Sequence, residues 1–230
     1  REPNWAEILR CSEAAIGASA SAKRRAAGGE YDAAAEGDCV IWHHAHIDDL
    51  TLVDSKVSAW ANRGSGPTAS QGVAANRPTT VASPSGLTAP LGGSNRFLLS
   101  DAVATLGNKI TMASVFRTHN QAAAYRYLFR APQAEELSLY MFTNLEMRLL
   151  CAPNTVSEWE SDGLTNDATW HYLIATWDGS LTSGEITAFK LDGAANGMQT
   201  TDGNTTATFG DNVYSLLADH NGDYGGTLAL

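Results

Sequence analysis

The stretch of sequence that decides the fold runs from residue 39 to residue 79. It reads Cys39-Val-Ile-Trp-His-His-Ala-His-Ile-Asp-Asp49, then Val57-Ser-Ala-Trp-Ala-Asn-Arg-Gly-Ser-Gly66, then Thr68-Ala-Ser-Gln-Gly-Val-Ala-Ala-Asn-Arg-Pro-Thr79. Each apolar piece is short and rich in β-forming residues, and a run of Gly, Asn, Pro or Ser follows it. This pattern predicts strands joined by tight turns.

The same pattern continues through the rest of the chain. Apolar and polar residues alternate most clearly in 109–117 and 185–191, which predicts strands with one buried face. Asp178-Gly179, Asp192-Gly193 and Asp202-Gly203 predict turns. The predicted strands are 39–47, 57–61, 96–100, 109–117, 125–130, 136–142, 145–151, 169–177, 185–191, 205–209 and 213–217. Many short strands without intervening helices predict an all-β fold, a sandwich of two antiparallel sheets.

A helix is predicted only at the amino end, over residues 4–26. Its narrow apolar stripe has helical spacing and supplies the predicted partner-docking residues Trp5, Ile8, Leu9 and Ile16. Asn4 suits the N-cap, and Gly28-Gly29 end the helix. This helix either lies along its own β domain or docks on a partner subunit. Residues 1–38 are therefore predicted to be a helical arm with its linker, and residues 39–230 to be the sandwich.

Composition narrows the range of partners. The chain has a net charge of −10, and residues 1–30 contribute +1, so the remainder carries −11. An acidic body repels phosphate backbones, which argues against nucleic acid as a partner. No apolar run approaches the roughly 18 residues of a membrane span, so no membrane partner is expected. Cys11, Cys39 and Cys151 are irregularly spaced and odd in number, which indicates buried free thiols.

Two regions of the chain resemble a known family. Residues 40–79 are similar to the opening of laminin-G/concanavalin A-like jelly-roll domains of the kind found in bacteriophage structural proteins. Thr169-Trp-His-Tyr-Leu-Ile-Ala-Thr-Trp-Asp-Gly179 looks like a later strand of those domains. The resemblance covers residues 40–230 and implies a concanavalin A-like jelly roll. The last family segment continues past the position of Leu230, so we expect the sandwich to continue beyond it.

Two clusters have the residue types of metal sites. His44 and His46 share one face of a predicted strand, a spacing that offers two ligands to zinc or nickel. Asp219, Asn221 and Asp223 place oxygen ligands at alternate positions, as at the start of a calcium loop, but the later positions of an EF-hand are missing. The family resemblance implies that calcium could bind through such loop carboxylates. A solvated strand and a turn rich in Asn, Asp and Gly are the favoured explanations of the two clusters, and neither needs an ion.

Carboxylates and aromatic residues raise the question of carbohydrate chemistry. Glu158, Glu160 and Asp162 would share one face of a strand, as a glycoside hydrolase of concanavalin-like fold requires. Pro153 before them and a glycine after them favour a piece of loop edge instead. Trp159 is predicted to be the most exposed tryptophan, and with Tyr224 it forms the candidate glycan-binding pair. No catalytic motif of a nucleophile, P-loop or dinucleotide enzyme is present, so the chain is predicted not to be an enzyme.

Three hypotheses about function follow. The favoured one is a virion structural or accessory protein of a bacteriophage, such as a capsid decoration, head-fibre or tail component, which displays the sandwich and contacts other virion subunits through the amino-terminal helix. A host-surface glycan is a further expected partner. The alternatives are a glycan-binding module of a secreted or cell-surface bacterial protein, and a concanavalin-fold glycoside hydrolase. No cofactor is required by any of them except calcium at the loop.

Overall fold

The computed structural model describes most of the chain between residues 40 and 229. The described residues are 40–41, 43, 47–82, 88–92, 95–102, 104–118, 126–131, 136–142, 146–152, 157–162, 169–183, 186–201, 208–217 and 228–229. Other predictions concern residues outside these ranges: the helical arm with Trp5, Ile8, Leu9 and Ile16, its linker, Cys11, Cys39, His44, His46, Asp219, Asn221, Asp223 and Tyr224. These stay predictions.

The described part of the chain is predominantly β. Its strands, in chain order, are β1 (Leu50–Val53), β2 (Lys56–Trp60), β3 (Ala69–Ser70), β4 (Thr79–Ala82), β5 (Thr88–Leu91), β6 (Leu98–Ser100), β7 (Ala104–Gly107), β8 (Lys109–Thr118), β9 (Arg126–Ala131), β10 (Glu136–Met141), β11 (Met147–Ala152), β12 (Ser157–Glu160), β13 (Trp170–Asp178), β14 (Ile186–Leu191), β15 (Ala194–Ala195), β16 (Met198–Thr201), β17 (Phe209–Asn212), β18 (Ser215–Leu216) and β19 (Leu228–Ala229). Ile47–Asp49 and Ala74–Asn76 are short 3-10 turns.

The strands pair antiparallel in two large sheets and one small one. The ten-stranded sheet has the order β1-β2-β3-β6-β18-β9-β10-β11-β12-β16. The seven-stranded sheet has the order β15-β14-β13-β8-β19-β5-β4, and β7 pairs with β17 separately. Neighbours in space are often distant in sequence, as with β6, β18 and β9. The predicted all-β architecture of antiparallel sheets is confirmed.

The two large sheets contribute to one apolar core. Trp159 of the ten-stranded sheet stacks on Phe189 of the seven-stranded sheet, with ring centroids 5.9 Å apart and planes 10° apart. Trp177 meets Phe209 edge-on at 4.9 Å. The largest fully buried side chains are Trp60, Tyr214, Phe116, Phe209, Leu98, Leu128, Leu137, Leu139, Met141, Met147, Leu149 and Leu173. Cys151 is buried in this core, as predicted, and forms no disulfide with the described residues.

Most predicted strands coincide with observed ones, but two predictions are wrong. Val40 and His43 belong to no strand, although a strand was predicted over 39–47. The carbonyl of Val40 instead accepts hydrogen bonds from the backbone N–H of Gly66 (2.8 Å) and the side chain of Asn62 (2.9 Å), which replace ladder bonds. Residues 157–160, predicted as a loop edge, form β12, because pairing with β11 and β16 on its two sides outweighs local turn propensity.

The Asp-Gly turns fall where the sequence predicts them. Asp192 and Gly193 both have positive φ, 52° and 85°, as a type I′ hairpin turn between β14 and β15 requires. Asp178 is the last residue of β13, and Gly179 begins the turn that leads toward β14. Asp202-Gly203 lies outside the described residues.

Within the described ranges, no helix has the length and apolar character needed to cross a membrane.

Candidate functional site

The first candidate surface is the outer side of the ten-stranded sheet, here called the ten-stranded face. The pairing register sets one residue from each of five neighbouring strands side by side: Tyr127, Tyr140, Arg148, Glu160 and Met198. Residues directly opposite on antiparallel strands share a face. The next row of residues packs into the core, so this row points away from it. At about 4.8 Å per strand, the row crosses about 19 Å of sheet.

Arg148 organises the charges on the ten-stranded face. Its guanidinium lies 2.8 Å from Glu160, 3.1 Å from Glu146 and 3.4 Å from Glu158, and it covers the ring of Phe142 at 4.0 Å. Only 16% of the Arg148 side chain is exposed. Burial alone would lower the pKa of Arg148, but the hydrogen bond to Glu146 and the neighbouring carboxylates outweigh burial and raise it. The guanidinium therefore stays charged and holds three carboxylates.

Tyr140 is bound into the same cluster. Its hydroxyl donates a hydrogen bond to Oε1 of Glu158 at 3.0 Å. Burial, followed by the charge of Glu158, raises the pKa of Tyr140 well above its usual value of 10, so it remains a donor. Its ring lies 5.3 Å from that of Tyr127, over which the guanidinium of Arg130 sits at 4.8 Å. The polar groups of the ten-stranded face thus bond mainly to one another.

The structure brings together two of the three carboxylates predicted for glycoside hydrolysis. Glu158 and Glu160 lie on one face of β12, as the alternation predicts, but Asp162 follows the strand and is exposed. Arg148 contacts both of the strand carboxylates. A retaining hydrolase needs one carboxylate as nucleophile and the other as a proton donor to the leaving group. The two carboxylates share one guanidinium, so the structure does not separate them into an acid and a nucleophile.

Trp159 does not have the exposure that the sequence predicts. It lies between Glu158 and Glu160 on β12, so its side chain points to the opposite face, toward the core, where it stacks on Phe189. Its indole N–H donates to the carbonyl of Asn196 at 2.8 Å. This partly buried indole is held by the core on one side and by a loop on the other. Its role in glycan binding stays a prediction, without support from its placement.

The second candidate surface is a groove on the outer side of the seven-stranded sheet, across β8, β13 and β14. Its volume is about 430 Å³, within the range of small-molecule sites. The polar side chains that line it are Lys109, Thr111, Thr176, Asp178, Thr187 and Lys190. Ile174 is buried beneath them and provides an apolar floor. We call this surface the groove.

The groove's two ends differ in charge. At one end Lys109 and Asp178 form an ion pair of 2.8 Å, and Asp178 also accepts hydrogen bonds from the backbone and hydroxyl of Ser180. These contacts, with that to Lys109 the largest, lower the pKa of Asp178 to about 2. At the other end Lys190 is exposed and forms no ion pair with the described residues. The ammonium of Lys190 is therefore available to a ligand.

Hydroxyl groups occupy the middle of the groove. Thr176 and Thr187 are hydrogen-bonded to each other at 2.7 Å, which leaves each oxygen with further bonding capacity. Thr111 lies directly opposite Thr176 across the β8–β13 pair. In contrast to the ten-stranded face, the polar groups of the groove keep bonding capacity that their neighbours do not use.

Sequence reasoning missed a chain of hydrogen bonds at the start of β13. Nε2 of His171 lies 3.2 Å from the hydroxyl of Thr169, and Nδ1 lies 2.8 Å from a carboxylate oxygen of Asp192. This connectivity is that of a nucleophile, a base and an orienting acid. However, Asp192 also accepts from the backbone N–H of Tyr172, and it sits in the turn between β14 and β15. The contacts tie that turn to β13, which accounts for them structurally.

His43 is also bound into the structure. Its Nε2 lies 2.8 Å from the hydroxyl of Tyr214, and its Nδ1 lies 3.2 Å from the carbonyl of Ala61. The hydroxyl of Tyr214 also lies within hydrogen-bonding distance of the carbonyl of Pro67, and the carbonyl of Ala61 can only accept a hydrogen bond. Burial lowers the pKa of His43 to about 4, against the opposing effects of Ala61 and of Asp49. This histidine is a neutral packing residue.

Metal sites find no support in the described ranges, which contain no group of three or more His, Cys, Asp or Glu side chains placed to hold an ion. The candidate ligands His44, His46, Asp219, Asn221 and Asp223 lie outside those ranges, so both metal predictions remain untested.

Comparisons with known proteins found no matching family model and no match among curated proteins. A solved structure that is similar is a sialidase of Trypanosoma rangeli in complex with 2,3-difluoro-KDN. It is 12% identical, the match covers 83% of this chain and 32% of that chain, and the TM-score is 0.46. The chain thus spans about a third of the length of that sialidase. A likeness at this level carries no argument about activity.

Proposed function

We propose that this chain is a non-enzymatic, lectin-like sandwich of the concanavalin A-like jelly-roll type that a bacteriophage particle displays, with the groove as its glycan-binding site. The all-β antiparallel architecture agrees with that fold. Two of the motifs that carry the family resemblance fall on observed strands: Trp60 ends β2, and residues 170–178 form β13. The described residues of the first motif, over 39–47, form no strand. The virion assignment rests on this resemblance.

The groove is the observation that carries the binding proposal. Sugars are recognised by hydrogen bonds to their hydroxyls, and a rigid sheet holds the hydroxyls of Thr111, Thr176 and Thr187 in fixed positions. Lys109 and Lys190 add donors at the two ends. Because these groups lie on the three longest strands of their sheet, a ligand meets a site that is already organised.

The contacts of the carboxylates on the ten-stranded face argue against hydrolysis there. Glu158 and Glu160 are both engaged by Arg148, and Glu158 also accepts from Tyr140. The pair is therefore not arranged as a separate acid and nucleophile. The glycoside hydrolase alternative is less well supported than glycan binding.

The binding proposal is tested by a glycan array with the purified chain and a Thr187→Val variant. We expect saturable binding to a subset of saccharides and a several-fold loss in the variant, which keeps the β-branched shape but removes a hydroxyl from the groove. A matched Thr51→Val variant alters an exposed strand residue of the other sheet and should bind normally. A complete lack of binding across the array would remove the groove's proposed role.

The virion proposal needs a separate experiment. Electron cryomicroscopy of the native assembly that contains this chain should show symmetric copies on a particle, with residues 4–26 against a neighbouring subunit. A free monomer with glycan affinity would instead favour the alternative, a glycan-binding module of a secreted or cell-surface bacterial protein. The same groove serves either protein, so only the assembly distinguishes them.

A further inference from the structure

We infer that the groove selects saccharides that carry a single acidic group, with the carboxylate bound at Lys190. This inference rests on the proposed glycan-binding function and specifies its ligand class. The lining holds two lysines and one aspartate, so the groove has a net charge of +1 on a chain whose net charge is −10. The positive charge is not spread evenly along it.

The charge is concentrated at the Lys190 end. Lys109 and Asp178 neutralise each other over 2.8 Å, and Asp178 is further fixed by Ser180. Lys190, directly opposite Ile174 on β13, has no such partner among the described residues. An ammonium group carries three donors, so Lys190 can give more than one charge-assisted hydrogen bond to a carboxylate.

The distance between the two ends suits a short oligosaccharide. On β13, Ile174 lies opposite Lys190 and Asp178 lies opposite Lys109. These two positions are four residues apart, which corresponds to about 13 Å of strand. Between those levels lie the hydroxyls of Thr176 and Thr187. A ligand that places its acidic group at Lys190 therefore lays neutral hydroxyls along the threonines.

A polyanion fits this groove less well than a mono-acidic saccharide. A second negative group at the far end would lie beside Asp178, which is ionised at neutral pH because its pKa is about 2. The acidic body of the protein would also repel a highly charged chain over a Debye length of about 8 Å at physiological salt. One unneutralised ammonium matches one carboxylate.

The test uses uronic-acid-terminated di- and trisaccharides, each paired with its neutral parent, and titration calorimetry with the whole chain. We expect the acidic member of at least one pair to bind about tenfold more tightly, the effect of one charge-assisted hydrogen bond. Lys190→Gln should abolish this preference, and Lys190→Arg should keep it. In about 1 M NaCl, where the Debye length is about 3 Å, the preference should shrink.

Lys56→Gln is the matched control. It changes the net charge by the same amount, but Lys56 lies on β2 of the other sheet, where it donates to the carbonyl of Ala74. The Lys56→Gln variant should prefer acidic over neutral saccharides to the same degree as the unaltered chain. Equal affinity for acidic and neutral partners, or a preference that survives Lys190→Gln, would overturn this inference and leave glycan binding intact. If no saccharide of either kind binds, the proposed function falls with it.

Discussion

The ten-stranded face and the groove differ in how far their polar side chains bond to one another. On the ten-stranded face, Arg148 joins three carboxylates and Tyr140 donates to one of them. In the groove on the seven-stranded sheet, the side chains of Lys190 and Thr111 line open space instead of joining such a cluster with the described residues. Most polar groups of the first surface bond to one another, although Nε of Arg148 has no partner among the described residues, and the second surface has bonding capacity left for a ligand.

The difference shows why a concentration of carboxylates is a poor guide to a site. Glu158 and Glu160 stand out in the sequence because acids at alternate positions share a face. Their partners come from β11, which pairs with β12, and from β10, the strand beyond it, and this arrangement is known only once the sheet order is known. Residues that bond to one another stabilise the fold, whereas a binding site needs groups with spare donors and acceptors.

The largest expected effect on the ten-stranded face comes from replacing Gly197 by alanine. Gly197 has φ of +73°, and a Cβ there would overlap the carbonyl oxygen of Glu160 and lie 2.5 Å from Cα of Ser161. Its neighbour Asn196 accepts the indole N–H of Trp159, so a shift here displaces β12. We expect a loss of about 4 kcal/mol in the free energy of unfolding, from backbone strain and overpacking together, measured by urea denaturation.

Gly72→Ala is the control for that measurement. A Cβ at Gly72 meets nothing within 4 Å, and its backbone has no positive φ. Stability should stay within about 0.5 kcal/mol of the unaltered protein, or rise slightly through the smaller entropy of the unfolded chain. Equal effects at the two glycines would mean that the Gly197 loop does not brace β12.

The dependence of stability on pH separates the contribution of the buried His43 from that of the Lys109–Asp178 ion pair in the groove. The pKa of His43 falls from 6.5 unfolded to about 4 folded, so its contribution to stability is complete above pH 6.5 and is lost as pH falls toward 4. Full loss corresponds to about 3 kcal/mol. Asp178, with a folded pKa of about 2, contributes only to losses at lower pH. Unfolding curves between pH 7 and 4 therefore report on His43, without interference from the groove.

A His43→Phe variant checks the assignment. It keeps a ring against Trp60 and Tyr214 but cannot titrate. The dependence of unfolding free energy on pH between 6.5 and 4 should become markedly flatter. If the slope is unchanged, another group is responsible for it.

Arg148→Met should destabilise the ten-stranded face by about 2 kcal/mol, because it leaves Glu146, Glu158 and Glu160 close together without their shared cation. The figure is below that for a fully buried pair because part of the cluster is exposed. Arg63→Met removes the guanidinium beside one carboxylate, that of Asp49, and should therefore cost less than a change that leaves three carboxylates without their cation. A similar loss in both variants, by thermal unfolding, would show that the cluster has no special role.

The sequence predicted the strands of this molecule better than its sites. Alternation identified β8 and β14 because each has one face in the core. It failed at β12, a four-residue strand whose stability comes from partners on both sides rather than from its own residues. A hydrophobic pattern indicates which residues are buried. Because Trp159 is the single large inward residue of β12, this strand has too short a pattern to be predicted.

The groove illustrates what sequence patterns leave out. Thr111 on β8 and Thr176 on β13 occupy outward positions, and nothing in either strand alone shows that they lie opposite each other. The same holds for Lys190, whose freedom from ion pairs with the described residues depends on its neighbours in space. An available signal was the repeated Thr and Lys at outward positions of these three strands. That signal becomes a site only when the sheet order is known.

The finest comparison of the two faces removes one hydroxyl from each. Tyr140→Phe deletes the hydrogen bond to Glu158, in a side chain that is 6% exposed, and should lower stability by about 1 kcal/mol. Thr187→Val deletes the exposed bond to Thr176, whose hydroxyl can bond to water instead, and should change stability by less than about 0.5 kcal/mol. Urea unfolding of both variants in one buffer measures the difference. If the two losses were equal, the groove hydroxyls would stabilise the fold as much as the hydroxyl on the ten-stranded face does, and their availability to a saccharide would be in doubt.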